Sequence, residues 1–172
     1  MNKLIPLVTL TFASLVAIAN TDMRVENMKA SVSSASMKAL SGEVMFKEVP
    51  EGLQVTATVK GLKPNTTHGF HVHEKGECKG PDYKSAGDHF NPESQPHGSP
   101  DTKMSHVGDM GNLVSDKNGV AKLTRVVPHT NAESLKQMQG KAVIIHANAD
   151  DLKSQPAGDA GDRIACGIIK TM

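Results

Sequence analysis

Aromatic residues and cysteines are scarce in this chain of 172 residues, which has four Phe, one Tyr, no Trp and two Cys. A hydrophobic core must therefore be built mainly from Val, Ile, Leu, Met and Ala. Two cysteines allow only one intramolecular disulfide, so a framework of several bridges is excluded. The length predicts one domain that is large enough to bury a proper core.

A surplus of charge of either sign is also missing. Lys and Arg together number 19, and Asp and Glu together number 18. Residues 1–19 hold one Lys and no acidic residue, so the rest of the chain is formally neutral. Nothing in this balance favours a nucleic-acid partner or a membrane surface.

The first nineteen residues have the features of an export signal. Lys3 supplies a positive charge, Leu4–Ala19 is mostly apolar, and Ala17-Ile18-Ala19 is a small-x-small cleavage pattern. The run is short and is interrupted by Pro6, which disfavours a membrane span; the alternatives are an uncleaved anchor and a buried helix. We predict a signal peptide over residues 1–19 that is cleaved after Ala19, with no membrane association afterwards.

Short alternating segments dominate the remainder. Residues 20–38 are polar, and we expect a loose extension that runs into a first strand near Asn27–Val32. Residues 39–172 are predicted to form the folded domain, with one helical turn at Ala132–Met138. About eight short strands predict an all-β antiparallel sandwich or barrel. The strands after the first are expected at residues 40–48, 53–60, 68–74, 106–115, 120–127, 142–146 and 165–170.

Two long segments show no periodic pattern of apolar residues. Residues 75–105 are rich in Gly, Pro, Asp, Lys and Ser, and residues 148–163 form a second irregular loop. Loops of this length inside a compact domain are usually functional.

Eight histidines are many for this length. His71 and His73 are two residues apart on a predicted strand, so their rings should project side by side while Phe70 and Val72 face the core. Imidazole suits copper and zinc, although such a pair alone is weak evidence for a metal site.

Further metal-ligand candidates lie in or at the end of the first loop. They are His89, His97, His106 and Asp109. Three histidines and one carboxylate can complete a tetrahedral zinc site, which is structural geometry. His146 ends a short apolar strand at the mouth of the second loop, where a metal ligand and a core histidine bonded to backbone are equally reasonable.

Four motifs resemble signatures of the copper/zinc superoxide dismutases. They occur in the family's order, and the resemblance covers about residues 40–170. The motifs are Gly69–Glu74 (GFHVHE), Ser85–Pro92 (SAGDHFNP), His106–Leu113 (HVGDMGNL) and Gly161–Gly167 (GDRIACG).

The resemblance implies an eight-stranded antiparallel Greek-key barrel with two long functional loops. It implies dismutation of superoxide to oxygen and hydrogen peroxide at a copper ion that is alternately reduced and oxidised, with zinc in a structural role. His89 would be shared by the two metals and would also be catalytic, because its ring can take up the proton that leaves with peroxide. The implied copper ligands are His71, His73, His89 and His146, and the implied zinc ligands are His89, His97, His106 and Asp109.

Residues outside the ligand set also match the family. Arg163 matches an arginine beside the open copper face, where it would attract the anion. Asp150 matches a carboxylate that orients one copper histidine and one zinc histidine. Cys78 and Cys166 match the family disulfide; two free thiols are the alternative, although a lone pair in an exported protein is usually bridged.

His68 and His129 match no ligand and are expected to be ordinary surface or capping histidines.

Loop lengths resemble the bacterial periplasmic branch of the family. His89 lies eleven positions after Cys78, and the second loop is short and contains Pro156. With the predicted signal peptide, these features predict a periplasmic protein, although the His89–Pro92 stretch resembles the eukaryotic form. Monomer and homodimer both stay open.

Two non-enzymatic alternatives compete with the dismutase prediction. One is a copper-binding or copper-delivery module on the same fold, which would lack a copper ligand or the arginine. The other is a structural or adhesive sandwich with vestigial sites. The complete ligand set argues against both.

Overall fold

The computed structural model describes residues 27–172, and the predicted signal peptide lies outside the described residues. Within this range, one α-helix, α1, covers Ala132–Met138, and one 3₁₀ turn covers Lys84–Ala86. Among the described residues, no helix has the length and apolarity needed to cross a bilayer. The strands are β1 Met28–Ser33, β2 Ser41–Val49, β3 Gly52–Lys60, β4 Thr67–His73, β5 Asp109–Val114, β6 Ala121–Val127, β7 Ala142–His146 and β8 Arg163–Thr171.

The strands form one antiparallel sheet in the order β5-β4-β7-β8-β1-β2-β3-β6. The two end strands, β5 and β6, contact each other, so the sheet curls into a nearly closed barrel. Three pairs of neighbours are not consecutive in sequence: β8 with β1, β3 with β6, and β4 with β7. The last two mark Greek-key crossovers. The predicted all-β, eight-stranded antiparallel fold is therefore confirmed.

The barrel interior is filled by the apolar side chains that alternate along the strands. Val55, Ala57 and Val59 of β3 are buried in the main core, as are Phe70 and Val72 of β4. The core is otherwise composed largely of Val, Leu, Ile, Met and Ala, as the scarcity of aromatic residues predicts. Strand β4 is buried on both faces, because its outer face is covered by the two long loops.

The first loop, residues 74–108, is attached to β4 near its middle and at its C-terminal end. Phe90 N donates to Val72 O, Gly108 N donates to Phe90 O, and Val72 N donates to Gly108 O, each over 2.8 Å. A Cβ at position 108 would lie 2.3 Å from Val72 O, so only glycine permits this close approach. The attachment places the residues before Phe90 and before Gly108 beside the outer face of β4.

A disulfide joins the first loop to the barrel. It links Cys78 to Cys166 of β8, where Cys166 is buried in a small cluster with Ala86 and Ile144. The second loop, residues 147–162, connects β7 to β8 and contacts β4 and β5, since Gly69 N donates to Asn148 O over 2.7 Å and Asn112 Nδ2 donates to Asp150 O over 2.9 Å.

Two strand boundaries differ from the sequence-based expectation by two residues or more. Strand β5 begins at Asp109 rather than at His106, because the chain turns there and Asp109 N donates to His106 O. Strand β8 begins at Arg163, two residues earlier than expected.

Candidate metal centre

Two groups of four side chains converge on the outer face of β4. Within each group, one ligand atom from each residue lies within 4.8 Å of the others, and every member is buried. His89 belongs to both groups. The first group is His71, His73, His89 and His146, and the second group is His89, His97, His106 and Asp109.

Strands β4 and β7 supply three rings of the first group. His71 and His73 project from one face of β4, and His146 is the last residue of β7, which pairs with β4. His89 comes from the first loop and forms an isolated bridge with His73. The ring centroids of His71 and His89 lie 4.0 Å apart, and those of His71 and His146 lie 4.8 Å apart. The paired strands therefore hold the cluster rigidly.

Each ring of the first group has one buried nitrogen without a hydrogen-bond partner among residues 27–172. A buried polar atom without a partner costs about 1–3 kcal/mol, so four in one cluster require an explanation. A cation with a preference for imidazole would contact all of them, and copper is such a cation. The four atoms are Nδ1 of His71 and Nε2 of His73, His89 and His146.

The opposite ring nitrogens fix the tautomers of three of these rings. His73 Nδ1 donates to Gly87 O over 2.9 Å, and His146 Nδ1 donates to Gly161 O over 3.2 Å. His71 Nε2 donates to Asp150 Oδ2 over 2.8 Å. Because each of these nitrogens carries the proton, the partnerless nitrogen presents a lone pair to the cluster.

Burial keeps these rings neutral. It lowers the pKa of His71 to about 4 and that of His146 to about 3, and it lowers the pKa of His73 well below its ordinary value. Metal ligation requires unprotonated imidazole, so all three rings are in the ligating form at neutral pH.

The second group surrounds one carboxylate oxygen, Oδ1 of Asp109. Nδ1 of His89 lies 2.8 Å from it, Nδ1 of His97 3.0 Å and Nδ1 of His106 3.3 Å. Nδ1 of His89 and Nδ1 of His106 are also 3.3 Å apart. Donors about 2.0–2.1 Å from a tetrahedral zinc ion stand roughly 3.3 Å from one another, so this set fits zinc.

Charge in the second group favours a cation. Burial alone would raise the pKa of Asp109, but hydrogen bonds with His106, His89 and His97 outweigh it and lower that pKa. For His97, burial alone would lower the pKa, yet hydrogen bonds with Asp109 and Asp150 raise it to about 9. The same two carboxylates that favour a proton on His97 would favour a metal cation at its Nδ1.

Asp150 connects the two groups. Its Oδ2 accepts from His71 Nε2 over 2.8 Å, and its Oδ1 accepts from His97 Nε2 over 3.0 Å and from Leu152 N over 2.7 Å. Burial opposes ionisation, but the hydrogen bonds from His71 and His97 lower the pKa of Asp150. The Asn112 side chain holds the Asp150 main chain through two hydrogen bonds, of 2.8 and 2.9 Å. The structure therefore brings Asp150 to both groups.

A cavity of about 420 Å³ opens onto the first group. His73, His89, His146 and Arg163 are among its lining residues. The Arg163 guanidinium is partly buried, and Nη1 donates to the carbonyl of Tyr83 over 3.0 Å. Burial lowers the pKa of Arg163, but a guanidinium still stays protonated at any working pH. A fixed positive charge therefore borders the space in front of the ring nitrogens.

The comparisons with known proteins agree with this geometry. The family model of copper/zinc superoxide dismutase matches residues 40–169. The chain belongs to the copper/zinc superoxide dismutase family. The predicted family, and copper and zinc as the cofactors that suit the two groups, are therefore confirmed.

Relatives in this family cover most of the chain. Superoxide dismutase [Cu-Zn] 2 of Aquifex aeolicus (strain VF5) is 42% identical over 138 residues, which cover 75% of this chain and 81% of the relative. Superoxide dismutase [Cu-Zn] of Paramecium bursaria Chlorella virus 1 is 40% identical over 136 residues, covering 76% and 72%. The relatives are superoxide dismutases by name, so the predicted enzyme class is confirmed.

Two solved structures share the fold. The clock protein EA4 has a TM-score of 0.75 and 36% identity, covering 86% of this chain and 95% of its own. A double mutant of a SOD-like protein from Bacillus subtilis has a TM-score of 0.72 and 36% identity, covering 81% and 95%.

His68 differs from the expectation of an ordinary surface or capping histidine. It is only 2% exposed, and its Nδ1 donates to the main-chain oxygen of His146 over 2.8 Å. His68 faces the same way as Phe70 and Val72, because residues two apart on a strand share a face. This alternation is the sequence signal that predicts its burial. It holds the end of β7 in place, whereas His129 is exposed as expected.

Three contacts of the site had no signal in the sequence. The carbonyl groups of Gly87, Gly161 and Tyr83 accept from His73, His146 and Arg163. Main-chain acceptors are common to all residue types, so only the fold reveals them.

Proposed function

We propose that this protein dismutes superoxide, with copper held by His71, His73, His89 and His146 and zinc held by His89, His97, His106 and Asp109. The observation that carries this proposal is the set of four partnerless, buried ring nitrogens around one space, adjoining a second tetrahedral set through His89.

Copper bound in the first group would supply one-electron chemistry, accepting an electron from one superoxide and returning one to another. Arg163 would attract the anion into the cavity and orient it through its forked N–H groups. The cavity walls restrict the approach to the side that His73, His89 and His146 leave open.

His89 would carry one of the two protons that hydrogen peroxide needs, and water would supply the other. Its Nδ1 lies 2.8 Å from Asp109 Oδ1 in the second group, while its Nε2 is the buried, partnerless nitrogen that belongs to the first group. Nε2 can hold a proton when it is not acting as a ligand and can donate it to the departing peroxide. Zinc has no accessible redox step, so the second group would keep the ring of His89 and the first loop in place.

The disulfide and the bacterial relative fit an extracellular or periplasmic protein. We propose the periplasm, reached by cleavage of residues 1–19 after Ala19, which leaves the domain at residues 39–172 with its extension. N-terminal sequencing of the exported protein tests this, and an intact leader on the mature protein would contradict it.

Superoxide consumption by purified protein of known copper and zinc content tests the proposed activity. Activity should follow copper occupancy, disappear on chelation and return when both metals are restored. Protein with both metals bound that leaves superoxide unconsumed would contradict the proposal and favour the copper-binding module.

A further inference from the structure

His97 has the weakest link to the barrel of all members of the second group. Asp109 begins β5, His106 lies three residues before it, and His89 is bridged to His73 of β4. The main chain of His97, in contrast, makes no hydrogen bond to another main-chain group within residues 27–172. Something other than the sheet must therefore position it.

The side chain of Gln155, in the second loop, contacts the main chain of His97 twice. His97 N donates to Gln155 Oε1 over 2.8 Å, and Gln155 Nε2 donates to His97 O over 2.8 Å. The side-chain amide thus pairs with the peptide of His97 as a neighbouring strand would. Gln155 Nε2 also donates to Lys153 O over 3.1 Å, which fixes the amide from its own side.

The second loop therefore holds His97 at two places. Gln155 pairs with its main chain, and Asp150 accepts from its Nε2. The loop backbone also packs closely here, since a Cβ at Gly158 would lie 1.9 Å from Asp150 Oδ1 and 2.7 Å from His97 Nε2. The position of His97 therefore depends on the second loop rather than on the first loop, to which His97 belongs.

We propose that Gln155 is a positioning residue that holds His97 for metal binding in the second group. Pro156 and Ala157, which follow it, line the cavity in front of the first group. The same pairing therefore links the second group to the wall of the substrate cavity. This inference rests on the proposed zinc role of His97.

An amide is required because the pairing needs one donor and one acceptor. Gln155→Met keeps the length of the side chain and removes both. Gln155→Glu keeps an acceptor for His97 N but loses the donor to His97 O. Loss of an outer contact to a metal ligand typically weakens binding by about 10- to 100-fold, so zinc should leave the Gln155→Met protein faster by roughly that factor.

The test measures zinc release from the metallated protein into a colorimetric chelator. A second readout is the visible spectrum of cobalt(II) substituted for zinc, and a third is hydrogen exchange at the His97 amide in metal-free protein. Gln155→Met should release zinc faster, change the cobalt spectrum and lose amide protection. Gln155→Glu should also release zinc faster and change the cobalt spectrum, but it should keep more of the amide protection because its carboxylate still accepts from His97 N. Gln137→Met is the matched control, because Gln137 is an exposed glutamine on α1 whose side chain bonds only Glu133 among the described residues.

Zinc release at the wild-type rate with an unchanged cobalt spectrum in both Gln155 variants would overturn the inference, even if the melting temperature fell. An equal effect of Gln137→Met would overturn it as well. His97→Ala separates this failure from that of the ligand assignment. If His97→Ala retains zinc, the assignment is wrong; if it loses zinc while Gln155→Met does not, only the role of Gln155 is wrong.

Discussion

Replacement of Asp150 by Asn should weaken copper binding much more than zinc binding. Oδ1 of Asp150 accepts from two donors, Leu152 N and His97 Nε2, whereas Oδ2 accepts only from His71 Nε2. The Asn oxygen will therefore take the Oδ1 position, and the amide nitrogen will face His71 Nε2. Two donors would then meet at the 2.8 Å that now separates Oδ2 from this nitrogen.

Relief of that clash moves the proton of His71 from Nε2 to Nδ1. Nδ1 is the atom that faces the first group, so the ring would then present N–H where a lone pair is needed. Hydrogen bonds to charged groups contribute about 1.5–3 kcal/mol, which corresponds to roughly 10- to 100-fold in copper affinity. His97 keeps its acceptor, so zinc affinity should change several-fold less.

Competition titrations with chelators of known affinity, done separately for copper and zinc on metal-free protein, measure both effects. Asp151→Asn is the matched control, since Asp151 is exposed and its side chain, within residues 27–172, accepts only from Lys153 and Ser154 of its own loop. Wild-type copper affinity in Asp150→Asn would refute the tautomer argument, as would an equal loss in Asp151→Asn.

Three further perturbations address the remaining parts of the site. Arg163→Glu should retain both metals, lower the rate by about tenfold or more and reverse its dependence on ionic strength, because steering raises encounter rates by about 10- to 1,000-fold; an unchanged rate contradicts the steering role. His146→Ala should lose copper and keep zinc by metal analysis, and the opposite result would mean that the two groups are wrongly assigned. Reduction of the Cys78–Cys166 bridge, with its sequence separation of 88, should lower the stability of metal-free protein by about 4–5 kcal/mol in urea unfolding; an unmoved midpoint contradicts this.

Much of the fold could be predicted because it depends on local patterns. Alternation on β3 identifies Val55, Ala57 and Val59 as core residues, and the two-residue spacing of His71 and His73 places both rings on one face. The limits of α1 and β7 follow from the same kind of reasoning. The core-facing side of β4 also contains His68, which shows that the alternation must be applied to every residue of a strand.

The rest could not be predicted because it depends on contacts between distant segments. Gln155 and His97 are 58 residues apart, and no periodicity joins one irregular loop to another. Asp150 was found only through resemblance, since a lone carboxylate in a loop has no pattern of its own. The acceptors at Gly87 and Gly161 are main-chain carbonyl groups, which every residue type has, so the sequence does not indicate them.

Both metal assignments require that one ring, that of His89, belongs to two metal sites. Crystals of oxidised protein loaded with copper and zinc, measured at the absorption edges of both metals, test this sharing. We expect one copper peak among His71, His73 and His146 and one zinc peak among His97, His106 and Asp109, with His89 between the two peaks and in contact with both. A single peak, exchanged metals or a copper peak out of reach of His89 would contradict it.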